Sequence, residues 1–160
     1  MKLETLLRES VDSILDEAFS DLQRSHVHHY EKAGETFTRE RLTTLFDLVA
    51  TAIRTRSLAD LSTYADRIST ERFDAGFDIS EVQMAFNSLE EAMWRRVVAA
   101  EPPSELAQAI GLLSTVLGFG KDTVARKYVS LASEKHVPSL DLKALFAGTE
   151  PSAGTANDST

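Results

Sequence analysis

The chain has 160 residues, 42% of them apolar, a net charge of −8 and no cysteine. A single domain of this length buries roughly 70% of its unfolded surface, enough for a core that needs no staple. The acidic balance argues against nucleic acid as a main partner and against docking on anionic lipid. The missing thiols exclude disulfide frameworks, zinc–thiolate sites and cysteine catalysis.

The N-terminal stretch, residues 1 to 17, carries acids throughout and lacks a continuous apolar segment, so it does not read as a signal peptide. Leu3, Leu6, Leu7, Val11, Ile14, Leu15, Ala18, Phe19 and Leu22 recur at helical spacing. They predict a first helix from about residue 2 into the mid-twenties. SHVHHYEKAGE follows, with the helix continuing as far as Lys32 and Gly34 ending it. Thr38 is the expected N-cap of a second helix, with Phe37 stapling onto Leu42. Its inward stripe is Leu42, Leu45, Phe46, Val49, Ala52 and Ile53. Ser57 is the expected cap of a third helix, with Asp60 at the box position and Leu58, Leu61, Ala65, Ile68 and Phe73 facing inward.

The stretch from Phe73 to Val97 organises the rest. Gly76 supplies the left-handed backbone that ends the third helix. Asp78 caps the next one, with Glu81 completing a capping box and Phe77 stapling onto Val82. Ile79, Val82, Ala85, Phe86, Leu89, Met93 and Val97 then share one helical face. Pro102-Pro103 stops that helix and starts a fifth, which runs to about residue 134 with Gly111, Gly118 and Gly120 inside it. Each glycine weakens a helix by roughly 1 kcal/mol against alanine, so either two helices approach closely there or the helix kinks. Leu140 to Phe146 reads as a short amphipathic helix. Residues 148–160 read as a disordered tail. The expectation is all-α: a bundle of about five helices plus a short C-terminal one, with residues 1–147 forming a helical regulatory or sensor domain. The longest nearly apolar run, residues 109 to 120, is shorter than the about 20 residues a membrane span requires. No membrane role and a cytoplasmic location are expected.

The candidates for chemistry are few. His26, His28 and His29 cluster near a helix end and could serve as haem or metal ligands or as a pH switch, whereas such clusters are mostly solvated surface. On one continuous helix His26 and His29 would share a face and His28 would point away. No Glu-x-x-His occurs, and Glu134-x-His136 has the wrong spacing for a di-iron bundle. GFGKDT, residues 118 to 123, lacks the glycine at 115 and the hydroxyl residue at 122 that a phosphate loop requires. Trp94, Arg95 and Arg96 are of the residue types favoured at interaction surfaces; the plainer reading is a core-edge tryptophan with a solvated basic pair, Glu91 and Arg95 being an ordinary i,i+4 pair. Glu71 and Arg72 read as exposed charges. No catalytic residue, metal site or cofactor is expected, and the chain is not read as an enzyme.

ERFDAGFDISEVQMAFNSLEEAMWRRV, residues 71 to 97, resembles the signature of the RsbRD N-terminal domain family. That family's arginine, glycine, Ser-Glu-Val, alanine, leucine and tryptophan run across the same helix junction. The matching positions are Arg72, Gly76, Phe77, Ser80, Glu81, Val82, Ala85, Leu89 and Trp94. HHYEKAGE and TRERLTTLFDLV are similar to family members too, and the likeness covers about residues 5 to 135. The resemblance implies an all-helical input module of bacterial stress signalling, set before STAS domains in RsbT co-antagonists or before kinase and other output domains. It implies no catalytic residues. A STAS domain needs about 100 further residues, so the expectation is a module without its own output domain, acting through a protein partner or by homodimerising. The rival expectation is a globin-like haem or small-ligand sensor built on His26, His28, His29 or His136.

Overall fold

The computed structural model describes residues 2–136. Over that range the chain is all helix, with no strand among the described residues. Seven helices follow one another: α1 (Lys2–Glu9), α2 (Val11–Arg24), α3 (His28–Ala33), α4 (Glu35–Thr55), α5 (Ala59–Asp74), α6 (Ile79–Ala100) and α7 (Pro103–His136). The all-α expectation holds. The expected short helix at 140–146 and the tail lie outside the described residues.

The apolar stripes converge on one core. Leu7, Ile14, Val49, Ile53, Leu61, Val82, Leu89, Met93, Leu113 and Leu117 are among its fully enclosed members. α6 is the axis of the bundle, flanked chiefly by α7 and α2, and α5 lies along α7. That arrangement follows from the sequence, because α6 carries an unbroken stripe of apolar residues at helical spacing over its whole length.

Four helix boundaries differ from the expectation. The single first helix is broken at Ser10, which is buried and accepts a hydrogen bond from Arg96 Nε at 2.7 Å. Anchoring that hydroxyl to α6 favours a corner, which the hydrophobic period alone cannot signal. The helix also stops at Arg24 rather than running to Lys32: His26 takes a positive φ of 49° and Val27 is extended before α3 begins. α4 then starts at Glu35, because Gly34 at φ 97° reverses the chain at once. Thr38 is therefore no cap. It is buried in the first turn and donates to the Gly34 carbonyl at 2.9 Å. α5 begins after Leu58, which takes the cap position expected for Ser57; Ser57 Oγ still accepts the Ala59 N–H at 3.3 Å, one residue before the cap.

The glycines of α7 divide by environment, and α7 is one continuous helix of 34 residues. A Cβ on Gly120 would stand 2.7 Å from the edge of the buried Phe86 ring and 3.7 Å from Leu61, so α7 approaches α6 and α5 closely there. A Cβ on Gly111 or Gly118 would meet nothing within 4 Å. Gly118→Ala is expected to stabilise by up to about 1 kcal/mol through helix propensity alone. Gly120→Ala is expected to destabilise by about 1 kcal/mol, because overpacking costs about 1–3 kcal/mol and exceeds the same propensity gain. Urea unfolding of the two variants reads the sign difference directly.

Candidate functional site

The densest set of polar and aromatic groups lies where α5 turns into α6. α5 closes with two hydrogen bonds: the Phe77 N–H reaches back to the Arg72 carbonyl at 2.9 Å and the Gly76 N–H to the Phe73 carbonyl at 3.1 Å. Gly76 holds φ at 89°, the left-handed turn that this double bond needs. Motifs of this kind bring the second residue past the helix against the last inward position within it. Here those residues are Phe77 and Arg72, with the guanidinium carbon 5.8 Å from the Phe77 ring centroid.

Glu81, in the first turn of α6, ties the turn together. One oxygen accepts the Asp78 N–H at 2.9 Å, the returning half of a capping box. The same oxygen lies 2.7 Å from His29 Nδ1, and the other accepts the His29 backbone N–H at 3.0 Å. Burial alone would push the Glu81 carboxyl up. The two N–H bonds and the His29 ring outweigh it and hold the carboxyl below its ordinary 4.5. α3 is thereby clamped to the start of α6. The His29 and Tyr30 rings both pack on Phe77, with centroids 5.0 and 4.9 Å away. From α7, the Tyr128 hydroxyl donates to the Phe77 carbonyl at 2.9 Å, and its ring meets Phe73 edge-on.

All three tyrosines of the chain, Tyr30, Tyr64 and Tyr128, gather at this junction. Burial pushes each phenol up, and for Tyr30 and Tyr64 the nearby Arg72 and Arg41 guanidiniums oppose that rise. Arg72 is only 3% exposed. That corrects its reading as an exposed charge. The signal was available: Leu61, Ala65 and Ile68 set an inward stripe whose next position is 72.

The residues singled out from the sequence fall in separate places. His26 lies in the turn after α2, not on a helix, and its Nδ1 stands 3.2 Å from Glu31. His28 is exposed at the start of α3, with its ring edge-on to His29. The face that His26 and His29 would share is thus dissolved by the break between α2 and α3. Among the described residues, no group of three or more His, Asp or Glu side chains is placed to hold a metal ion. Trp94 is 44% exposed in an open groove with Asn87, Glu90, Glu91 and Arg95. Arg95 is engaged by Glu17, Glu91 and Asp21, and Arg96 by Ser10. Arg95 therefore joins α6 to α2, and Arg96 joins it to the α1–α2 corner. The Glu81 carboxylate and the Tyr128 hydroxyl are committed to the cap and to inter-element bonds.

An all-helical bundle whose polar centre is a helix junction defines the class: a helical module built around a turn. The chain belongs to the RsbT co-antagonist protein RsbRD N-terminal domain family, whose sequence model matches residues 4–134. At the level of the family it is an input domain of stress signalling. No curated protein and no solved structure gives a significant match to the chain. No helix among the described residues is long and apolar enough to cross a membrane.

Proposed function

We propose that the chain is a non-catalytic regulatory module of bacterial stress signalling that works in the cytoplasm by contact with a protein partner. Membership of the RsbRD N-terminal family carries this reading. The mechanism is a population shift at the α5–α6 junction. One carboxylate, Glu81, and one hydroxyl, Tyr128, connect three helices to the turn there, so a modest change in packing at the turn is felt by α3, α6 and α7 together. A partner drives such a shift only to the extent that it binds one arrangement better than the other. A second copy of the chain, docking through an amphipathic helix face, is the other arrangement compatible with the family.

The test uses the purified chain with purified STAS-domain and RsbT-type kinase proteins. Size-exclusion chromatography with light scattering reads complex formation, and hydrogen exchange reads residues 28–33 and 72–82. The expected result is a defined complex with altered exchange in both segments. No complex with either protein, and no self-association, overturns the proposal. Native mass and an absorption spectrum of the same sample test the rival: a retained haem would replace this reading and make His26, His28 and His29 the first residues to substitute.

A further inference from the structure

Two arginines at the junction lack the anions that their burial calls for. Arg72 lies inside the bundle, and its Nε has no hydrogen-bond partner. Among the described residues, the one carboxylate within ion-pair range of it is Glu71, at 3.8 Å and half exposed. Arg41, on α4, also has a buried Nε without a partner, and no carboxylate among the described residues lies within ion-pair range of it. Both guanidiniums rest against one ring: their carbons are 4.9 Å and 5.2 Å from the Phe37 centroid. Glu81, the half-buried acid of the junction, is already bound by His29 and Asp78. A chain of net charge −8 thus keeps two cations together in an aromatic seat, with the half-exposed Glu71 carboxylate at 3.8 Å and the Tyr30 phenol as the groups that face Arg72.

Desolvating a lone guanidinium costs several kcal/mol unless an anion and its hydrogen bonds offset the loss. Guanidinium forks match the oxygens of carboxylates and phosphates, and arginine is the residue that serves where such groups are gripped from more than one side. Tyr30 and Tyr64 add two buried phenols beside the pair. Arg41 is partly exposed and lines a groove along α4 with Glu35, Arg39, Glu40, Thr43 and Thr44, so the pair is approached from solvent on the Arg41 side. We infer that Arg41 and Arg72, seated on Phe37, form a binding site for a small-molecule oxyanion, a carboxylate or phosphate. The site is defined by these side chains and does not rest on which protein the module contacts.

The experiment is thermal unfolding and calorimetric titration of the full chain with inorganic phosphate and with succinate, against sodium chloride at matched ionic strength. Wild type is expected to gain stability with at least one oxyanion and none with chloride. Arg41→Gln is partly exposed and spares the buried core, and it should weaken binding by about tenfold or more, the loss of a charge-assisted contact. Arg72→Met removes the buried charge and keeps the packing volume. Its unfolding temperature without oxyanion should equal or exceed that of wild type, and its response to oxyanion should vanish. A response confined to phosphate identifies a phosphate site, and one confined to succinate a carboxylate site. The inference is overturned if neither anion exceeds chloride, if Arg41→Gln responds as wild type does, or if Arg72→Met is less stable in oxyanion-free buffer. Partner binding is read in a separate assay, so the failure of one claim leaves the other standing.

Discussion

Phe77→Ala is expected to destabilise the protein by about 3–5 kcal/mol, the range for truncating a buried aromatic. Phe77 is almost fully buried, and contacts from three helices meet on it. His29 and Tyr30 of α3 lie on its ring, Arg72 of α5 approaches it, and Tyr128 of α7 holds its carbonyl. Truncation opens a cavity beneath α3 and also removes the hydrophobic partner of the Gly76 turn. α3 has only six residues, too few for a helix to persist alone, so it depends on this contact more than the longer helices do. Chemical denaturation should show the loss in the midpoint. Hydrogen exchange at moderate temperature should show α3 opening well before α6 and α7. Equal loss of protection across all helices would mean that the junction does not hold α3 separately.

The contrast between what the sequence announces and what it conceals is sharpest at this same turn. The inward stripe of α6 and the stop at Pro102-Pro103 depend on periodicity and on backbone chemistry local to a few residues, so they are legible in one dimension. The break at Ser10 depends on Arg96, eighty-six positions away, whose guanidinium needs that hydroxyl. The break after Arg24 depends on two turn residues, His26 and Val27, neither of which carries a turn signal in its identity. Arg72 shows a third case. Its position on the stripe of α5 is legible from the period, but its charge argues for solvent, and the two signals conflict at this residue. Charged residues are almost never fully buried unless paired, which makes an inward arginine an observation about function rather than about packing. Likewise, Tyr30, Tyr64 and Tyr128 are spread over ninety-eight positions and form a set only when α3, α5 and α7 are brought together.

Glu81→Ala should cost about 2–3 kcal/mol, because one substitution leaves the His29 and Asp78 N–H groups without their acceptor and breaks the contact with the His29 ring. Hydrogen bonds to a charged group contribute about 1.5–3 kcal/mol, and these three share one carboxylate, so their losses do not add in full. Glu81→Gln keeps the shape and one acceptor oxygen and should lose less. The pair separates charge from geometry through pH. The folded-state carboxyl lies below its ordinary value of 4.5, so between the two values the unfolded chain binds more protons than the folded one. Stability from this group is therefore present in full above about pH 4.5 and is lost as pH falls through the folded value. Wild-type stability should decline over that acid window by more than that of Glu81→Gln, and the two curves should run parallel above it. His29→Gln, which keeps a backbone N–H for Glu81 but removes the ring, should lie between them. If Glu81→Gln retained the full acid sensitivity of wild type, the carboxylate would be a geometric acceptor only, and the electrostatic clamp between α3 and α6 would have to be abandoned.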